Sequence, residues 1–213
     1  MNFIILGSLG SGKGTQARLL AERLNPFYFE TGEFLRELAK SNPSIDERIN
    51  KKGELVPDKE MFSLLTKYLE DKAPGRENLL LEGYPRSVKQ YELLKGWLAE
   101  KGQKIDKAIL LEISEKESVR RISARRIDRK TGKIYNLITN PPDLNVDRKN
   151  LYQRPDDKPE AIKKRLAWYK NSVLPLVAVF EKEGILERVD GERPIKVIFE
   201  DIMARLKVDE KKN

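Results

Sequence analysis

Between Gly7 and Thr15 the chain reads GSLGSGKGT. Glycines at 7, 10, 12 and 14 around Lys13 let backbone N–H groups wrap an anion, while the ammonium meets its terminal oxygens. In the general phosphate loop a hydroxyl directly after the lysine binds magnesium. Here Gly14 stands at that position and the hydroxyl comes one residue later, at Thr15. The shift argues against a plan in which protein holds the metal directly and suggests Mg2+ held mainly by phosphates and water. A second stretch, NLLLEGYPRS at 78–87, ends a leucine run on Glu82, Gly83 and Arg86. Glu82 could accept hydrogen bonds from metal-bound water, Gly83 lets backbone approach a ligand, and Arg86 brings a permanent cation to the same crevice. An ordinary Glu82–Arg86 ion pair is the alternative reading. A third stretch, ETGEFLRE at 30–37, places Thr31 to cap a helix, Glu33 in its first turn and Arg36 one turn on. By itself it reads equally well as a capped surface helix.

What is missing narrows the chemistry further. The 213 residues include no cysteine and no histidine, which removes disulfides, thiolate zinc or redox sites, and the commonest general base. Any reaction must run on carboxylates, lysine, arginine and backbone. The net charge of +8, from 42 basic against 34 acidic residues, suits polyanionic ligands without choosing among nucleotides, nucleic acid and acidic surfaces. No interleaving of basic and aromatic residues suggests base stacking, so no nucleic-acid partner is expected. Trp97, Trp168 and most tyrosines read as packing residues. The N-terminal MNFIILGSLG lacks the basic start and cleavage site of a leader, and no apolar run approaches a membrane span. A cytoplasmic protein with no membrane partner is expected.

An α/β scaffold must position these groups. Short apolar runs at Asn2 to Leu6, Phe27 to Glu30, Asn78 to Glu82, Ala108 to Ile113 and Leu186 to Asp190 alternate with amphipathic stretches, the order of a doubly wound parallel sheet. Helices are expected at Lys13 to Leu24, Gly32 to Ala39, Asp58 to Leu69, Ser87 to Glu100 and Glu115 to Arg126. A late helix from about Lys158 to Glu183 has Asp157 as N-cap, Pro175 as a kink and Gly184 as its stop. The final VDEKKN reads as a frayed charged tail. Segments 31–60 and 127–153 break the alternation; excursions of that length from a compact sheet are lids, binding arms or disorder.

Taken together, these motifs resemble the adenylate kinase family of nucleoside monophosphate kinases. The phosphate loop G-x-x-G-x-G-K-G-T, the T-G-[DE]-x-x-R block, the G-[FY]-P-R block with Gln90 four residues after Arg86, the R-x-x-x-R-R run from Arg121 to Arg126 and the NPP at 140–142 occur in the family's order. The resemblance covers Met1 to about Leu206. It implies a P-loop NTPase fold with a five-stranded parallel sheet flanked by helices. The core would comprise residues 1–30, 61–124 and 154–213, with a helical NMP-binding arm at 31–60 and a lid at 125–153.

Roles follow by the same resemblance. Lys13 would contact the transferred and adjacent phosphates, with Gly10, Ser11, Gly12, Gly14 and Thr15 around the ATP phosphates. Arg36 and Arg86 would clamp the acceptor phosphate of AMP. Thr31, Gly32, Leu55, Val56, Gly83 and Gln90 would line the AMP site. Arg121 would lie against the donor adenine, and Arg125, Arg154 and Arg165 would close over the phosphoryl group, held by Asp156 and Asp157. Glu82 and Glu33 would face magnesium through water, with no direct protein ligand. The implied reaction is MgATP + AMP ⇌ 2 ADP in a monomer. Alternatives are a UMP or CMP kinase of the same plan and, in another class, a non-catalytic nucleotide-dependent switch. Thr31 favours the purine, since pyrimidine-acceptor relatives usually carry alanine there. With no cysteine, a structural zinc is not expected; Tyr135, Leu137, Ile138 and hydrogen bonds would hold the lid. The family commonly has aspartate where Glu33 and Glu82 stand, proline for Leu9, glycine for Ala124 and histidine for Asn136.

Overall fold

A computed structural model of the chain describes residues 1–51, 55–75, 77–154 and 157–207. Asp156 and the terminal VDEKKN, for which the sequence carries expectations, lie outside the described residues. In chain order the elements are β1 (Phe3–Gly7), α1 (Lys13–Leu24), β2 (Phe27–Glu30), α2 (Thr31–Ser41), α3 (Pro43–Asp46), a π-helical turn (Glu47–Lys51) and α4 (Asp58–Lys72). Then come β3 (Leu79–Glu82), α5 (Val88–Glu100), β4 (Lys107–Glu112), α6 (Glu115–Ser123), β5 (Arg125–Asp128) and β6 (Ile134–Asn136). A 3-10 turn (Arg148–Asn150), β7 (Leu151–Tyr152), α7 (Pro159–Lys182), β8 (Leu186–Asp190) and α8 (Ile195–Leu206) complete the described chain.

The main sheet has five parallel strands in the order β2-β3-β1-β4-β8. The central strands β1, β3 and β4 are apolar on both faces because successive side chains point to opposite sides and both sides are covered. Ile4, Leu6, Phe29, Leu81 and Leu110 pack with Leu65 of α4, Leu94 of α5 and Phe180 of α7. Phe3, Ile5, Leu80, Ile109 and Leu111 pack on the other face with Leu20 of α1 and Ile202 of α8. The order changes direction at β1, so the crevice beyond its carboxyl end is the place where an open α/β sheet receives a ligand.

Several sequence expectations need correction. The helix expected from Glu115 ends at Ser123 rather than Arg126, because Arg125 and Arg126 enter β5 and pair antiparallel with Asn136 and Tyr135. β5 is the centre of a small antiparallel sheet in the order β6-β5-β7. Tyr135 is buried within that unit, but Leu137 and Ile138 are 47% and 48% exposed and do not hold it. Asn136 does: its side-chain amide donates to the Arg121 carbonyl and its oxygen accepts from the N–H groups of Ile138 and Thr139. Asp157 does not cap α7; Lys158 occupies that position with no capping side chain. Pro175 lies inside α7, which continues to Lys182 before Gly184. α8 was not anticipated, although Ile195, Ile198, Ile202 and Leu206 recur at helical spacing. Among the described residues, no helix is long and apolar enough to cross a membrane.

Leu94 is fully buried where α5 meets the sheet and α7. Leu94→Ala is expected to destabilise the fold by about 2–5 kcal/mol, read as a lowered urea midpoint with an unchanged slope.

Candidate active site

β1 delivers the chain to Gly7 and α1 begins at Lys13, so the intervening loop lies in the crevice at the sheet's switch point. Gly12 is the N-cap of α1 with φ 89°, a left-handed conformation that a side chain would strain, and no side chain caps the helix. The first N–H groups of α1 are therefore left for an anion. Gly10 is also left-handed, Ser11 is buried and Thr15 is exposed on the first turn. Ser118 of α6 donates its hydroxyl to the Leu9 carbonyl and so ties the loop to the helix beside it.

Lys13 lies among charges that compete. Burial lowers its pKa to about 8; Glu82 opposes that shift, while Arg86, Arg165 and Arg125 reinforce it. Glu82 ends β3 in register with Glu30, the last residue of β2. Burial raises the Glu82 pKa, Lys13 being the main opposing influence. The Tyr28 hydroxyl donates to Glu82 Oε2, and a side chain built on Gly14 would begin 3.4 Å from the same carboxylate. Sequence reading missed Tyr28; its signal was the two-residue spacing from Glu30, which puts both on one side of β2.

The next turn sets Arg86. Gly83 has φ 75°, and a Cβ there would lie 3.2 Å from an Arg86 guanidinium nitrogen, so a side chain would both strain the backbone and crowd the cation. Arg86 Nε donates to the Gly83 carbonyl at 2.6 Å, and the guanidinium sits 5.9 Å from the centre of the Trp168 ring. Arg86 therefore does not form the alternative pair with Glu82. Thr31 is the first residue of α2 rather than its cap, and its hydroxyl donates to the Glu82 carbonyl at 3.0 Å. Gln90 is buried; its oxygen accepts from the Arg86 N–H at 2.7 Å and its amide donates to Asp58 at 2.8 Å.

The remaining arginines come from α6, β5 and the stretch around α7. Arg121 donates to Glu117, to the Gly191 carbonyl at 2.8 Å and to the Gly10 carbonyl at 3.4 Å, which fixes its guanidinium against the phosphate loop. Arg125 makes a two-pronged bond to the buried Asp157, and Arg165 lies 3.8 Å from the same carboxylate. Arg154 passes its carbonyl to the Asp157 N–H at 3.1 Å. One buried carboxylate thus organises two arginines from different parts of the chain.

A cleft of about 350 Å3 gathers Lys13, Leu55, Gly83, Arg86, Arg165 and Trp168 on its walls. Trp168 is a wall of this cleft rather than a plain packing residue. Val56, next to Leu55, is buried in the main core. Arg36 and Glu33 are not brought to this group. Arg36 lies over Gly32 and pairs with Glu30, and Glu33 is exposed on the wall of a neighbouring cleft beside Phe34 and Tyr68. Among the described residues no three potential ligands gather to hold a metal. Glu82, within electrostatic reach of Lys13, is the carboxylate that an ion carried by phosphates and water would meet.

A family model described as Adenylate kinase matches residues 5–185. The chain belongs to the adenylate kinase family. It is 38% identical over 209 residues to an adenylate kinase of Pyrococcus abyssi, covering 95% of this chain and 94% of the relative. A Methanocella arvoryzae adenylate kinase is 37% identical over 214 residues, with 97% and 99% covered. One from Kosmotoga olearia is 36% identical over 213 residues, again with 97% and 99% covered. The enzyme is accordingly a phosphotransferase, and its five-stranded parallel sheet flanked by helices is the fold expected of the family.

Asp157 is the anchor on which two of the site's arginines depend. Removing one member of a buried, hydrogen-bonded ion pair leaves the other charge uncompensated. Asp157→Asn is expected to lose about 3–5 kcal/mol of unfolding free energy in urea titration. A loss below 0.5 kcal/mol, on the order of an exposed pair, would remove Asp157 from this role.

Proposed function

We propose that the chain transfers the terminal phosphoryl group of MgATP to AMP, reversibly, giving two ADP, and that it works as a monomer. The observation that supports this best is the gathering of Lys13, Arg86, Arg125 and Arg165 within electrostatic reach of one another, with Glu82 beside them and no histidine anywhere in the sequence. Such a site suits a reaction that needs charge and position rather than a proton acceptor. A phosphate monoester has a second pKa of about 6, so the AMP phosphate is already an ionised nucleophile at neutral pH.

Each residue has a role in this reading. Lys13 neutralises the transferred and adjacent phosphates, with Gly10, Ser11, Gly12, Gly14 and Thr15 around the donor. Arg86 holds the acceptor phosphate, fixed by the Gly83 carbonyl and the Trp168 ring, and Arg36 joins it from α2. Arg125, Arg154 and Arg165 place charge on the equatorial oxygens, where one arginine can be worth on the order of 10³-fold in rate. Thr31, Gly32, Leu55, Val56, Gly83 and Gln90 form the acceptor side. Arg121, its N–H groups engaged with Gly10 and Gly191, offers its plane to the donor base. Magnesium carried by the donor phosphates and water would supply charge neutralisation there. Glu82 is positioned to accept from that water, whereas Glu33 would need α2 to move. Segment 31–60 serves as the acceptor arm and 125–153 as a lid that excludes water from the transfer.

The deciding assay follows ADP formed from MgATP with AMP, UMP, CMP or no acceptor. Rapid ADP formation with AMP alone is expected, and Arg86→Ala should lower kcat/KM by on the order of 10³-fold or more. Preference for UMP or CMP would replace the acceptor, and ATP binding without acceptor-dependent ADP would replace the kinase by a switch. The depressed pKa of Lys13 gives a second expectation. In the empty site the ammonium loses its proton near pH 8, and phosphates bound beside it favour the charged form. ATP binding at pH 8.5 should therefore take up a proton, visible as a dependence of calorimetric enthalpy on buffer ionisation, and Lys13→Met should abolish that dependence.

A further inference from the structure

Glu30 has no place in the reaction as described, yet it holds one of the groups assigned to it. It ends β2 with its side chain only 14% exposed. Arg36 of α2 donates to Glu30 Oε1 at 3.3 Å, and Arg18 of α1 donates to Oε2 at 2.9 Å. The Arg36 guanidinium folds back over its own helix to make this contact. A Cβ on Gly32 would lie 3.0 Å from one of its nitrogens, so the absence of a side chain at 32 gives the fold-back its room.

We propose that Glu30 is an internal stand-in for the acceptor phosphate, occupying Arg36 in the empty enzyme and setting acceptor affinity by competing for it. This rests on the reading of Arg36 as part of the acceptor clamp. A carboxylate and a phosphate offer a guanidinium the same paired oxygen acceptors, so Arg36 can exchange one for the other. The exchange would be costly if it left a largely buried carboxylate without a partner. Arg18 prevents that, because it stays on the second oxygen when Arg36 leaves, and the Tyr28 hydroxyl lies 3.4 Å from the same oxygen. The competition lowers affinity for acceptor nucleotides and favours their release. It acts on the phosphate end alone, with no effect on the nucleoside.

Calorimetric titration of AMP into the full chain, without ATP or magnesium, tests this. Glu30→Gln should tighten AMP about two- to fivefold, the range of a partly exposed ion pair, and leave adenosine binding unchanged. Arg36→Ala should weaken AMP, and adding Glu30→Gln to Arg36→Ala should bring no further tightening. ATP affinity on the same preparations checks that each variant is folded; if Glu30→Gln is not, Glu30→Ser carries the comparison. Unchanged or weaker AMP binding in Glu30→Gln overturns the stand-in. So does tightening that persists without Arg36, which would mean repulsion through space. AMP binding unaffected by Arg36→Ala is a separate result: it removes Arg36 from the clamp, and the stand-in with it.

Discussion

Positive charges brought together in a half-buried cleft repel one another, and most of the site's architecture serves to hold them there. Arg86, Arg125 and Arg165 all push the Lys13 pKa down, and Arg165 pushes down that of Arg86. Lys13 is carried by the turn into α1, Arg86 is pinned to the carbonyl three residues back, and Arg125 and Arg165 share Asp157. The lining is therefore complementary to a polyanion before one arrives, which is the preorganisation that makes charge effective in a reaction of this kind.

The sheet accounts for where these cations meet. β1 and β3 are fully buried on both faces, so their register is strongly specified, and Glu82 at the end of β3 lies opposite Ile5, two residues before Gly7. Gly7 starts the phosphate loop and Glu82 starts the turn to Arg86, so one crevice receives both. β2 extends the arrangement by one strand and sets Glu30 against Glu82. The phosphate loop and the turns after β2 and β3 are thus linked by strand pairing. The lack of histidine imposes no penalty on this design, because the acceptor phosphate supplies its own ionised nucleophile.

The elements that were legible in the sequence are those with local signals. α1 and β2 start and stop at the expected residues because glycine, proline and asparagine punctuate them. Features set by distant partners were harder to read. The end of α6 depends on Arg125 and Arg126 finding Asn136 and Tyr135, eleven and nine residues on. Asp157 looked like a helix cap because it stands near a proline, but two arginines outcompete the backbone N–H groups for its oxygens. Leu137 and Ile138 looked like lid packing from their apolarity alone. The antiparallel turn instead leaves them outward, and Asn136 provides the fastening. Trp168 reads as a packing residue from its type, and only the tertiary fold sets its ring beside Arg86.

Glutamate at 82 is where these constraints meet. Burial disfavours the charged forms of both Glu82 and Lys13, and each is the strongest influence keeping the other charged. Aspartate would draw the carboxylate back by about 1.5 Å, away from the Tyr28 hydroxyl that now donates to it. The longer side chain and the tyrosine on the neighbouring strand therefore form one unit. The methylene extends the carboxylate's reach, and the hydroxyl limits where that added freedom can take it. Glu30 lies on the other side of the same hydroxyl and raises the Glu82 pKa by its charge. Arg18 and Arg36 reduce that repulsion by neutralising Glu30. The second carboxylate is thus tolerated next to the first because it is already occupied.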